Sequence, residues 1–188
     1  MSSRRSYAAA LVVLTAGALL LLWGYGLVWG TAEVPLLAGA ADTTRTQELT
    51  GRALYPGAAM AGWVALGAVG GVVATRSWGR VVVATIGLLS GIVGAGAAIG
   101  YGIAPAAAID ASVGIAGQPT VAAEPAVGWV VAAIAGLAVV AASCWTLLSG
   151  RRWPTLGARY ERGSRPERAL SAWEAQDKGQ DPTDDLVE

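Results

Sequence analysis

Four runs without a single charged side chain constrain this chain more than any other feature: Tyr7 to Trp29, Ala58 to Thr75, Val81 to Ile103 and Val127 to Ser149. Hydrocarbon offers no water to hydrogen-bond a bare backbone, so apolar runs of this length must be helical if they cross a bilayer. A 23-residue run, the length of the first, third and fourth, spans about 35 Å as a helix, against a hydrocarbon core of roughly 30 Å. The second run is shorter and is expected to borrow residues from its N-terminal flank. There Tyr55 suits the membrane interface and Pro56 suits a helix start. Charged residues make up 14% of the chain, against about 25% in soluble domains. The fold class expected is therefore an all-α membrane protein, a bundle of four transmembrane helices. The segments are a leader (1–6), spans at 7–29, 58–75, 81–103 and 127–149, loops at 30–57 and 104–126, a tight turn at 76–80 and a tail at 150–188.

The arginines orient this bundle. Arg4, Arg5, Arg76, Arg80, Arg151, Arg152, Arg159 and Arg162 would lie on one side, and only Arg45 and Arg52 on the other. The positive-inside rule then places both termini in the cytoplasm, with the chain multi-pass in the plasma membrane. Trp23, Tyr25 and Trp29, near the far end of the first span, are expected to anchor at the headgroup layer. The first loop is expected to consist of turns or irregular structure, given Gly39, Asp42 and its threonines. The second carries Asp110 and Glu124 and no basic residue. A cleaved signal is disfavoured, because the first apolar run is longer than a signal's apolar region and Ala38-Gly39-Ala40 lies too far beyond it.

Chemistry-bearing groups are sparse. There is no histidine and one cysteine, Cys144, so the commonest neutral-pH base and any multi-cysteine metal site are missing from the composition. Gly91, Gly94 and Gly96 fall in mid-span, without the strand that a dinucleotide loop follows. No catalytic, cofactor or metal residues are assigned, the chain is read as non-enzymatic, and zero formal net charge gives no global pull toward nucleic acid. No span contains the ionisable groups that usually mark an ion or proton path. Small residues recur at four-residue spacing: Gly26 and Gly30, Gly67 and Gly71, Gly87 with Gly91 and Ala95, Gly96 and Gly100, and Gly128 with Ala132 and Gly136. Such stripes let helices approach closely. They suit packing within the bundle first, and self-association or docking on a membrane partner second.

The tail is basic near the membrane, with six arginines over 151–168, and acidic at its end, with six acids over 169–188. Its arginines fit topology and attraction to anionic headgroups. Ser164, Pro166 and Gly179 bracket a short amphipathic helix over 166–178, with Ala169, Leu170 and Trp173 on one face. Several stretches are specific: Thr50-Gly51-Arg52 before the second span, Arg152-Trp153-Pro154, Arg159-Tyr160-Glu161-Arg162, and Trp173 followed by Asp177, Gly179 and Asp181-Pro182-Thr183. On these the chain resembles the actinobacterial tryptophan-biosynthesis-associated transmembrane proteins, over nearly its whole length. The resemblance implies an association with tryptophan biosynthesis through gene neighbourhood. The residues expected to bind a partner are Trp153, Pro154, Arg159, Tyr160, Glu161, Arg162, Trp173, Asp177, Gly179, Asp181, Pro182 and Thr183. The partners expected are the lipid bilayer, a cytosolic or membrane protein, and a second copy of the chain. An anchor or adaptor presenting the tail is the leading function; the alternative is a small transporter or exporter subunit for an aromatic amino acid or pathway intermediate.

Overall fold

The computed structural model describes residues 2–35, 44–75, 77–113 and 122–150. All belong to the first of two units into which the chain divides, Met1–Trp153; the second, Pro154–Glu188, lies outside the described residues. In chain order the elements are α1 (Ser2–Gly26), β1 (Val28–Pro35), β2 (Thr44–Thr50), the single turns α2 (Gly51–Leu54) and α3 (Pro56–Ala59), α4 (Ala61–Ala74), α5 (Ser77–Ile103), α6 (Pro105–Val113), β3 (Ala122–Pro125) and α7 (Gly128–Ser149).

Among the described residues, four helical stretches are long and apolar enough to cross a membrane: Arg5–Gly26, Pro56–Ala74, Trp78–Ile103 and Gly128–Ser149. The second does draw on its flank, with α3 leading into α4. The first stops at Gly26, not at 29, because the chain turns there into a strand. The turn expected at 76–80 is tighter, since α5 already begins at Ser77. Thr75 closes α4 by donating both its amide and its hydroxyl to the Gly71 carbonyl, at 2.9 and 2.6 Å, so no longer connection is needed.

Helix α7 packs on α1 and α5, and α4 packs on the same two helices from the other side. Small residues line the interior and large ones face out. Ala18, Ala65, Ala98, Ala135 and Ala142 are buried, whereas Leu19, Leu20, Ile92 and Leu137 are exposed to the surroundings. This arrangement suits a bilayer, where exposed leucine costs nothing and close backbone approach drives association. A Cβ on Gly136 would stand 2.7 Å from the Ala95 amide nitrogen, and one on Gly24 would stand 2.7 Å from that of Ala132. The stripes Gly87, Gly91 and Ala95 on α5 and Ala132 and Gly136 on α7 are thus intramolecular contacts. Gly67, Gly96 and Gly100 face open space.

The segments read as loops contain a sheet, which corrects the expectation of irregular structure in 30–57. Strand β1 lies between β2 and β3, antiparallel to both, in the order β2-β1-β3. Thr31 pairs with Glu48 on one side and Glu124 on the other. Directly opposed residues share a face, as do alternate residues of one strand. One face therefore carries Glu33, Glu48 and Glu124, and the other carries Gly30, Ala32 and Leu49. The second face, with Ile109 of α6, closes over the end of the bundle.

Candidate functional site

The two ends of the bundle are built from different materials, and each organises a site. At the sheet end the centre is Trp29. The β1–β2 register slips between Val28 and Gly30, leaving Trp29 as the extra residue of a bulge. Bulges re-aim side chains, and this one turns the indole into the core, where it is 0% exposed. Its Nε1 donates to the Gly24 carbonyl at 2.9 Å, near the end of α1, where that carbonyl also accepts the Leu27 amide at 3.3 Å. Tyr25, Tyr101 and Tyr55 surround the ring at centroid distances of 4.9, 5.3 and 6.1 Å. The Tyr25 hydroxyl crosses to the Gly94 carbonyl of α5, 2.8 Å away. The Trp29 carbonyl accepts twice, from the Tyr101 hydroxyl at 2.5 Å and from the Ala126 amide at 2.7 Å.

The expectation that Tyr25 and Trp29 anchor at the headgroups is therefore corrected: both are buried, and only Trp23 of that trio faces outward, at 59% exposure. Thr50-Gly51-Arg52 acquires separate roles. The Thr50 hydroxyl accepts from the Ala53 amide and caps α2. Gly51 lies flat against the Trp29 ring, where any Cβ would collide with the indole. Arg52 runs across Gly26, whose missing Cβ would stand 2.9 Å from its Nη2.

At the opposite end a single guanidinium gathers three helices. Arg80, in the first turns of α5, is 3% exposed. Its Nη1 donates to the Gly150 carbonyl at 2.7 Å and its Nη2 to the Thr75 carbonyl at 3.4 Å. The Tyr7 ring of α1 lies 5.7 Å from its Cζ, within cation–π range. Both acceptors terminate helices, α7 and α4, where open carbonyls and the negative end of the dipole favour a cation. Gly150 permits the approach, since a Cβ there would stand 3.1 Å from Arg80 Cδ. The Nε of Arg80 has no hydrogen-bond partner among the described residues.

Sequence reasoning counted Arg80 only as a topology signal. The clue to more was its depth: it follows Gly79 at the start of the apolar run, beyond the position a charge needs merely to mark an interface. The residues expected to bind a partner, namely Trp153, Pro154, Arg159, Tyr160, Glu161, Arg162, Trp173, Asp177, Gly179, Asp181, Pro182 and Thr183, lie outside the described residues, as does the amphipathic helix over 166–178. Cys144 is a half-buried free thiol on α7. Among the described residues no three His, Cys, Asp or Glu side chains are grouped to hold a metal ion.

Residues 10–183 match the family described as tryptophan-associated transmembrane proteins. No curated protein and no solved structure matches the chain.

Proposed function

Because the chain belongs to the family of tryptophan-associated transmembrane proteins, we propose that it serves as a non-enzymatic anchor in the plasma membrane, presenting its C-terminal tail to a cytosolic partner. The observation that carries this reading is the Arg80 clamp. Arg80 holds the carbonyl of Gly150, the residue from which the tail departs, against the ends of α4 and α5 and beside Tyr7 of α1. A tail used only to set topology would need no such fixed root. The arginines support a cytoplasmic orientation for this end: Arg4, Arg5 and Arg80 lie here, and Arg45 and Arg52 on the opposite cap, with the turn and tail adding more arginines to this side of the sequence. The tail's own Arg159, Tyr160 and Arg162 then supply polar contacts and Trp173 an apolar anchor.

The test is co-purification from native membranes in gentle detergent, read by mass spectrometry. The intact chain should bring down a protein that is lost when residues 151–188 are deleted, and lost again on combining Arg159→Ala, Tyr160→Ala and Trp173→Ala. Insertion should be unaffected in both variants. A partner retained by the truncated chain would overturn the tail as the docking element. No partner in any sample, with flux of an aromatic amino acid through vesicles carrying the protein, would replace the anchor by a transporter.

A further inference from the structure

A groove at the cap end, independent of the tail, fits a ligand of definite chemistry. It runs between α1 and the α3–α4 segment, has a volume of about 290 Å³, and is lined by Leu22, Tyr25, Pro56, Met60, Trp63 and Arg52. Its walls are apolar except at the mouth, where the Arg52 guanidinium crosses Gly26. Trp63 and Met60 are 61% and 57% exposed, so the groove opens sideways along the spans. Its depth is set by the chain itself: α1 ends at Gly26 and the second span begins at Pro56, which brings Arg52 to the level where hydrocarbon gives way to headgroups.

Among the described residues nothing matches the charge at that mouth. Arg52 makes no hydrogen bond or ion pair among the described residues, although the same cap displays Glu33, Glu48 and Glu124. Those carboxylates belong to the outer face of the sheet, whereas Arg52 follows Gly51 back toward α1. An exposed guanidinium above an apolar slot, at headgroup depth, is complementary to one kind of molecule: an anion carried on a hydrocarbon chain. Arg binds phosphate in a planar, two-pronged geometry, and the slot below takes acyl chain against Leu22, Met60 and Trp63. We propose that this groove is a binding site for an anionic phospholipid of the cap-side leaflet, its phosphate on Arg52 and an acyl chain between α1 and α4.

The test is lipid retention by the full-length protein in native mass spectrometry, with phosphatidylglycerol and phosphatidylcholine of identical acyl chains as probes. A basic residue close to a membrane surface is worth roughly a fivefold preference for an anionic lipid. Arg52→Gln should therefore lower the ratio of retained phosphatidylglycerol to phosphatidylcholine about fivefold. Arg45→Gln, which removes a charge from β2 of the same cap, should leave the ratio unchanged. Arg52→Lys keeps the charge without the two-pronged geometry and should keep only part of the preference, and Trp63→Ala should reduce retention of both lipids with the ratio intact. The proposal fails if Arg52→Gln leaves the ratio unchanged. It fails equally if Arg45→Gln lowers the ratio as much, which would indicate diffuse attraction to the cap. Displacement of the lipid by millimolar inorganic phosphate would also overturn it, leaving a site for a free anion.

Discussion

The cap end and the tail end of this bundle solve the same problem with opposite means. At each end, donors from elsewhere in the chain reach backbone carbonyls. At the cap end the contacts are many: the Trp29 indole donates to the Gly24 carbonyl at the end of α1, the Tyr25 hydroxyl to the Gly94 carbonyl within α5, and the Tyr101 hydroxyl and the Ala126 amide to the Trp29 carbonyl of β1, around a packed aromatic cluster. At the tail end one side chain, Arg80, serves the ends of α4 and α7. A distributed arrangement tolerates the loss of a polar contact but depends on its packing. A concentrated one depends on a single residue, and local damage there stays local. The cap thus behaves as a folded unit, and the tail root as a clasp.

The largest expected effect tests the dependence of the cap on packing. Trp29→Ala removes a fully buried ring and opens a cavity among Tyr25, Tyr55 and Tyr101, at a cost of about 3–5 kcal/mol. Unfolding of the purified protein in detergent should shift accordingly, and the amides of β1, β2 and β3 should lose hydrogen-exchange protection together. A cost below about 1 kcal/mol would mean that the sheet is held by its ladder alone, and the contrast between the ends would collapse.

The next effect tests the clasp. Arg80→Ala leaves the Gly150 and Thr75 carbonyls without their donor, and hydrogen bonds to charged groups are worth about 1.5–3 kcal/mol. Exchange should accelerate in the last turn of α7, from Leu147 to Gly150, and the cap amides should be unaffected. Arg80→Lys keeps the charge but offers a compact ammonium in place of the fork, so it should recover only part of that protection. Acceleration spreading to β1 would show that the two ends are coupled and that Arg80 is no local device.

Much of this was legible in the sequence, and the failures have physical causes. The four spans are visible because hydropathy over twenty residues needs no knowledge of neighbours. The cap was harder. The stretch Thr44 to Thr50 is rich in threonine, a strand signal, but Leu49 is its only large apolar residue, so no alternation of faces announces it. Strand β3, with Ala122, Ala123, Glu124 and Pro125, has no strand signal of its own. It exists through pairing with Thr31 and its neighbours, a contact between distant parts of the chain. Trp29 was misjudged for a related reason. An aromatic residue at the end of an apolar run reads as an interface anchor, and only the bulge that inserts it into β1 turns it inward. Arg80 was counted correctly as a charge and missed as a clasp, because its acceptors are backbone carbonyls that any sequence supplies. The membrane family, by contrast, was readable from Thr50-Gly51-Arg52 and the tail motifs, and residues 10–183 match it.

The smallest effect sharpens the comparison most. Tyr101→Phe deletes one hydroxyl and leaves the ring packed against Trp29. The acceptor it served, the Trp29 carbonyl, keeps its bond from the Ala126 amide at 2.7 Å. A carbonyl has two lone pairs, and retaining one partner avoids the full penalty of an orphaned buried group. The expected cost is therefore about 1 kcal/mol, the net worth of one ordinary hydrogen bond, read as a small shift in unfolding with β1 and β3 exchange nearly unchanged. Arg80 stands alone at both of its acceptors among the described residues, so its removal should cost more, although it leaves the more distant elements intact. If Tyr101→Phe instead matched Trp29→Ala, the cap would hang on one hydroxyl as the tail root hangs on one guanidinium. Distribution of donors would then no longer be what separates the two ends.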